Sequence, residues 1–512
     1  MDAEPLCYQS ALVLNPFRMD SSLLLRAARL TTLGLLPVLA ACNNDDDTSG
    51  TPTDPIELKA HSVNPSLVKA MPGYESLEIL PLISSDDVLA ESPAFVFGPQ
   101  PDGAGLMRNP TGDGFVLINN HEISQSVSRV YLDKTFKPVK GEYILDYNGG
   151  TTRLCSATLA TPEEHGFPAP VFLTAGESGA ESMVHAIDPV GAVDKANTSR
   201  RKPALGKASM ENAVPLNKQA YPGKTVIVIG EDDTNGQVLL YVSDTPGDLD
   251  NGKLYMLKRP SGDPVETNMV MGTSYDVEWV EVTGAKTMTG AQIASFSTAN
   301  GVLQLARVED LDYRKGSAVN NRELYFTATG VSQADKVTPV AGKTMWGRVY
   351  KLNLNATNPT GAAKLEVVVD GAQDPGRYIV NPDNICVTEN YVYIQEDGDS
   401  FYRDNDHDGR IWQWGINSPG QRAKAMLEMD HRRTDATFNA KYNPSNSQLK
   451  SSWEYGAMHD ISDLVNTPNT FLVNIHPHTW QDAKFKNADG SGAAANTNSE
   501  GGQVVIVRGV AK

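Results

Sequence analysis

One pattern recurs along this chain and limits what it can fold into: a short apolar strand that ends in polar or charged residues. The copies are Val116-Leu117-Ile118 ending in His121-Glu122, Val171-Phe172-Leu173 ending in Glu177, and Val226-Ile227-Val228 ending in Glu231-Asp232-Asp233. Three more follow: Leu324-Tyr325-Phe326 ending in Thr329-Gly330, Val392-Tyr393-Ile394 ending in Glu396-Asp397, and Phe471-Leu472-Val473 ending in His476. The segment Asn381 to Gly415 shows a whole unit, with a strand carrying Asp383 and Asn384, a second strand, a Gly/Asp loop and a third strand at Arg410-Ile411-Trp412. Strand, acid, turn and strand in about 35 residues is the size of one β-propeller blade. The strand ahead of most copies also carries polar residues: Cys155, Glu211-Asn212, Arg307 with Glu309-Asp310, Asp383-Asn384, and Glu454 or His459-Asp460. A charge on an apolar strand is costly unless it is paired or holds a metal. Repeated around a ring, such charges converge on one axis. The expectation is an all-β fold, a β-propeller of six blades with loop insertions. Frequent Gly and Pro (43 and 31) and no long amphipathic helical stretch agree with it.

The N-terminal region reads differently. Arg26 and Arg29 precede the apolar run Leu33 to Val38, and Leu39-Ala40-Ala41-Cys42 follows. This is a basic region, a short hydrophobic core and a small-residue cleavage site, too short to span a bilayer. Its end resembles the lipobox of bacterial lipoproteins, which implies cleavage before Cys42 and a lipid on its sulfur. Met19 is the better start, because the first 18 residues lack signal character. The expected organisation is a signal peptide over 1–41, a lipidated Cys42 with a polar tether to residue 75, and one propeller domain over 76–512. Membrane contact is then through the lipid anchor only, in the bacterial cell envelope, on a monomer. The formal net charge of −18 argues against nucleic acid as a partner and is compatible with cation binding. Beyond the leader only Cys155 and Cys386 remain; they are able to pair in an oxidising envelope, but Cys386, between Ile385 and Val387, reads as a buried strand residue.

Asp404, Asp406 and Asp408, followed by Gly409 and Ile411, have the D-x-D-x-D-G-x-I spacing of a calcium loop. The twelfth position is Gly415 rather than Glu, so the loop is not an EF-hand. Gly176-Glu177-Ser178-Gly179 approaches a nucleophile elbow, but Ala180 breaks it. His476-Pro477-His478 can set two imidazoles near one metal, although such pairs are more often structural.

In order along the chain, several short motifs resemble the PhoX family of alkaline phosphatases. They are Asp102-Gly103, Asn120-His121-Glu122, Arg153-Leu154-Cys155, Met210-Glu211, Arg307-Val308-Glu309, Pro382-Asp383-Asn384 with Ile394 to Gly398, and Val473 to Pro477. The resemblance implies a β-propeller whose axial site holds iron and calcium and hydrolyses small phosphomonoesters outside the cytoplasm. By position it implies Cys155 and Glu211 as iron ligands, Glu309 as a calcium or bridging ligand, and Arg307 as the catalytic grip on phosphate. Glu122, Asp383 and Glu396 are further candidates for the calcium shell. Where the family often has Cys-Glu-Glu, this chain has Ala175-Gly176-Glu177. Two other classes compete: a calcium-dependent propeller esterase or lactonase, and a non-catalytic calcium-binding surface lipoprotein. Cys155 and Arg307 on axial strands favour the phosphatase.

Overall fold

The recurring apolar runs form strands because they are covered on both faces. In Phe115–His121 and Thr470–His476 every residue is buried, so neither strand shows the half-polar alternation of a surface sheet. The computed structural model describes residues 54–397, 405–418 and 420–512, all within the compact unit Thr51–Lys512. Cys42, the leader and Asp404 lie outside the described residues. Each of the six expected middle strands is present: Phe115–His121, Val171–Gly176, Thr225–Glu231, Glu323–Ala328, Tyr391–Glu396 and Thr470–His476.

The strands assemble into antiparallel meanders in five sheets. One sheet has nine strands, because Ser274–Glu281 joins one meander to Ala363–Asp370 of the next. Hydrophobic clusters fill the spaces between successive sheets. In one, Val226, Val228, Leu324 and Leu352 surround the stacked rings of Phe326 and Tyr350, with centroids 4.9 Å apart. The innermost strands touch in sequence: Ala104–Arg108, Leu154–Ala160, Met210–Pro215, Leu311–Tyr313, Pro382–Val387 and Glu454–Asp460, which returns to the first. The architecture is all-β and propeller-like.

The ring closes with strands from the two ends of the domain. Gln503–Arg508 pairs with Thr470–His476 on one side and with Glu78–Ser84 on the other. The packed domain also begins earlier than residue 76. Leu58, Leu67 and Val68 are buried, and Val68–Ala70 pairs with Lys424–Met429. Two polar loops, 195–207 and 484–502, are anchored to each other by Lys195 Nζ, which donates to the Asp489 carbonyl at 2.8 Å; Tyr147 N donates to the Asp489 carboxylate at 2.8 Å. Cys155 and Cys386 are both buried and unpaired. Among the described residues no helix is long and apolar enough to cross a membrane.

Closure by the last strand puts Val504 to Val507 wholly inside. Truncating Ile506 to Ala is expected to cost about 2–5 kcal/mol of unfolding free energy. Denaturant titration checks this; a loss within experimental error of zero would mean that the closing strand is dispensable.

Candidate metal centre

The site is built from one repeated backbone device. Four inner strands carry a register shift against their neighbour, between Leu154 and Ala157, Met210 and Ala213, Pro382 and Ile385, and Tyr455 and Met458. A bulge of this kind leaves residues outside the ladder and re-aims their side chains. The first bulged residues are Cys155, Glu211, Asp383 and Gly456. Backbone hydrogen bonds put Asp102 and Glu309 at the same place in the remaining two units: Asn120 N donates to Gly103 O, and Thr327 N donates to Asp310 O. Five of the six equivalent positions therefore carry a thiol or a carboxylate.

The preceding positions are equivalent as well. Gln100, Arg153, Ser209, Arg307 and Asn381 each accept a backbone hydrogen bond from the end of the middle strand, from Glu122, Glu177, Asp232, Thr329 and Asp397 respectively. Gln100, Arg307 and Asn381 have positive φ (42°, 62° and 48°), a conformation that non-glycine residues hold only under constraint. Arg307 thus precedes the strand Leu311–Tyr313 instead of lying on it, as expected from sequence.

These positions gather three groups whose ligand atoms lie within 4.8 Å of one another: Glu211, Glu309 and Asp383; Asp102, Glu122 and Cys155; and Glu454, His476 and His478. Cys155, Glu211, Glu309, Glu122 and Asp383 were expected from sequence; Asp102, Glu177, Asp232 and the Glu454 group were not assigned. The missed acids carry the same signal, an acid at the strand end or ahead of the first strand. Only the register, which the sequence does not print, separates them from their neighbours.

Arg307 lies between two carboxylates. Its Nε donates to Asp232 Oδ1 at 2.8 Å, and its Nη2 stands 2.7 Å from Glu309 Oε1. That second contact is an ion pair off the N–H direction, so Glu309 Oε1 is buried without a hydrogen bond. The Cys155 thiol donates to Glu177 Oε2 at 3.2 Å, and Ser156 N donates to Glu211 Oε1 at 3.1 Å. Arg153 reaches Glu122 at 3.0 Å. A neutral belt braces the acids: Asn212 donates to Asp310 at 2.6 Å, and Asn384 donates to Ser156 Oγ at 2.6 Å.

Burial and like charge dominate the electrostatics. Burial first, then neighbouring carboxylates, raise Asp102, Glu211 and Asp383 well above the usual acid range. Burial also raises Glu309 well above it, although Arg307 opposes the shift. Glu177 is pushed up to about 8 by burial, Glu122 and Asp232. Burial raises Asp232 too, but Arg307 outweighs it and holds that acid below its ordinary value. Burial and four surrounding acids push the Cys155 thiol up, so it stays protonated without a cation.

Two expectations need correction. Glu396 faces away from this site, into its own sheet. It accepts from Val380 N at 2.8 Å, Arg410 N at 2.9 Å and Trp412 Nε1 at 2.8 Å, and it contacts His407 at 3.1 Å. Its oxygens are satisfied, which leaves it no place in a calcium shell. Asp408 is clamped by Arg433, whose Nη2 donates at 2.6 Å, and Asp406 pairs with Arg377 at 3.3 Å. Asp406 and Asp408, two of the three residues of the expected calcium loop, are thus turned to cationic side chains, while Asp404 lies outside the described residues. The Ser178 hydroxyl accepts from Arg153 N at 3.1 Å and is not hydrogen-bonded to a histidine or carboxylate among the described residues.

A profile of the family described as "Alkaline phosphatase PhoX" matches residues 182–449. The chain belongs to the PhoX family of alkaline phosphatases. Among solved structures, Pseudomonas fluorescens PhoX in complex with vanadate, a transition state analogue, aligns over 86% of this chain and 96% of its own, with a TM-score of 0.56 and 14% identity. That likeness bears on the fold. The PQQ-bound aldose sugar dehydrogenase from Streptomyces coelicolor aligns over 84% of this chain and 98% of its own, at TM-score 0.34 and 11% identity. An α-L-arabinofuranosidase from Fusarium graminearum in complex with an iminosugar inhibitor aligns over 81% and 97%, at TM-score 0.39 and 11% identity. No curated protein matches the chain. Membership makes this a phosphatase of the PhoX type, whose substrate is a small phosphorylated molecule.

A pH dependence follows from the acid shifts. A carboxyl whose pKa is higher folded than unfolded stabilises the fold below its unfolded value, and that contribution is lost as pH rises through the folded value. For Glu177 the window runs from about 4.5 to about 8. Metal-stripped protein is expected to melt at progressively lower temperature across that window, whereas protein loaded with cations is not. Equal slopes for the two samples in thermal melts would contradict this account of the site.

Proposed function

We propose that this is an extracytoplasmic, metal-dependent phosphomonoesterase with iron and calcium on the axis of a six-bladed propeller. The ring of inner strands supports the blade count. The observation that carries the functional reading is Arg307, held by Asp232 and Glu309 at the rim of the buried acids Glu211, Glu309 and Asp383. A guanidinium there can fork onto two phosphate oxygens.

The residues fit the metals that the family implies. A thiol with carboxylates, in Cys155, Asp102 and Glu122, suits ferric iron; the oxygen-only group of Glu211, Glu309 and Asp383 suits calcium. Among the described residues Glu309 Oε1 accepts no hydrogen bond and meets the Arg307 ion pair, which leaves it a lone pair for a cation. Bound cations would supply neutralisation of a phosphate dianion and acidification of the attacking water.

The chain's own residues then divide the work. Glu309 would serve as a ligand if cations were bound, and Arg307, fixed along its Nε edge by Asp232, would then be free to fork onto an incoming phosphate. Asp102, Glu122 and Glu177 hold the Cys155 side chain among oxygen donors. Asn212 and Asn384 keep the bulges from sliding. Ile123, Tyr147, Arg153, Ser178 and Thr497 line a cavity of about 240 Å³ beside Glu122, which offers space for a leaving group.

Protein loaded with both metals is expected to hydrolyse p-nitrophenyl phosphate or nucleotides and to be inhibited by vanadate. Arg307→Lys keeps the charge but loses the fork, and should cost about 100- to 1,000-fold in kcat/KM. Cys155→Ser should lose iron and most turnover while remaining folded. Absence of hydrolysis by the fully loaded protein, or iron retained in Cys155→Ser, would overturn the reading.

We place the protein on the outer side of a bacterial membrane, as a monomer anchored by a lipid on Cys42 and without nucleic-acid partners; the Leu39-Ala40-Ala41-Cys42 run supports the anchor. The native protein should partition into detergent, and Cys42→Ser should move to the aqueous phase. Native protein that stays aqueous would remove the anchor from the proposal.

A further inference from the structure

The third group of ligands differs chemically from the other two. Glu454 and His476 are directly opposed across the pair Glu454–Asp460 and Thr470–His476, and His478 follows two residues later. Glu454 Oε1 lies 3.3 Å from His476 Nδ1, and its Oε2 lies 3.0 Å from His478 Nε2. Two ligand atoms on one tetrahedral zinc-like ion, each at 2.0–2.1 Å, stand about 3.3 Å apart. The spacing therefore fits a shared cation. The imidazole rings are 5.9 Å apart and nearly perpendicular, at 86°, so they do not stack.

Two further observations point to a ligand. His476 is fully buried, and neither of its ring nitrogens has a hydrogen bond. An imidazole buried in that state is costly unless something takes a lone pair. His478, by contrast, is oriented from behind: its Nδ1 bonds Glu500 Oε2 at 2.9 Å, and Gln100 Nε2 donates to the same Glu500 oxygen at 2.8 Å. A carboxylate on the far nitrogen of an imidazole is the usual support for a metal-ligating histidine. It leaves Nε2 turned towards Glu454. The local backbone makes room for this arrangement. Position 456 is glycine where the equivalent strands carry Cys155, Glu211 and Asp383, and a Cβ there would stand 2.9 Å from His476 Nε2.

We infer that Glu454, His476 and His478 form a separate site for a divalent transition-metal ion such as zinc, with Glu500 as the positioning residue for His478. On binding, the ion replaces the proton that His478 Nε2 shares with Glu454, and that proton leaves to solvent. His478 is about one-quarter exposed, which gives the ion a way in. Two imidazoles and a carboxylate favour zinc, cobalt or nickel over calcium. The inference does not depend on the phosphatase reading: the site is defined by metal binding and is read without substrate.

The test uses full-length protein stripped of metal, then refilled with calcium and iron and titrated with Co²⁺ and separately with Zn²⁺. One additional equivalent should bind, and the cobalt form should show the visible absorption of a low-coordinate, nitrogen-ligated ion. His476→Gln and His478→Ala should each abolish that spectrum and the extra equivalent, with calcium content unchanged. Glu500→Gln should weaken binding about 10- to 100-fold. Cys155→Ser should leave the cobalt spectrum intact, which distinguishes this site from the proposed iron site. An unchanged cobalt spectrum in His476→Gln and His478→Ala would overturn the proposal. So would the absence of any extra equivalent in the wild type, which would leave His478 as an imidazolium clamped between Glu454 and Glu500.

Discussion

Crowded negative charge is the constraint on which the rest of this molecule depends. Asp102, Glu122, Glu211, Glu309 and Asp383 are buried, Glu177 and Asp232 stand half-buried beside them, and among the described residues Arg307 and Arg153 touch this group directly. A low-dielectric site cannot hold so many ionised carboxylates. It must keep them protonated or fill with cations. The scaffold holds them in place either way, because each acid is fixed by backbone geometry and not by a flexible loop. Ring closure matters for the same reason. If the Gln503–Arg508 strand let go, the inner strands would separate and the acids would relax into solvent.

The fold was legible because it repeats. All six middle strands lie where the short apolar runs put them, and the closing strand Gln503–Arg508 is itself an apolar run at the end of the domain. The meander that carries Ser274–Glu281 was harder to read, since that strand alternates exposed and buried residues and links two units instead of following the repeat. The start of the packed domain was also harder to place. Leu58, Leu67 and Val68 are isolated apolar residues in a polar segment, and nothing local says that they are covered.

The site was legible by residue type and less so by register. Glu396 and Asp397 are neighbours, and from sequence Glu396 was the candidate. Because a strand turns successive side chains to opposite faces, only one of the pair can belong to the axis. The backbone bond from Asp397 N to Asn381 O places residue 397, not 396, in line with Glu122, Glu177 and Asp232. Glu396 instead ties Trp412, His407 and Arg410 into one sheet. The Asp406 and Asp408 spacing misled for a different reason. A calcium loop and an Arg-clamped turn use the same carboxylate spacing, and what separates them is Arg433, far enough along the chain that no local motif includes it.

The bulge explains why an uninterrupted strand pattern can host polar chemistry at all. Without it, Cys155, Glu211 and Asp383 would sit in a ladder position and point into a hydrophobic layer between sheets. One extra residue per inner strand turns them to the axis and leaves the second bulged residue (Ser156, Asn212 or Asn384) to tie adjacent strands together. The sixth inner strand keeps the bulge but not the ligand: glycine at 456 gives the space to His476 from the neighbouring strand. The ring is therefore symmetric in backbone and asymmetric in chemistry, with thiol and carboxylate donors on one arc and imidazole donors on the other. A six-fold repeat of identical acids would have one kind of cation site. Substituting a thiol at one position and a glycine that admits histidine at another lets one scaffold present three chemically different donor sets.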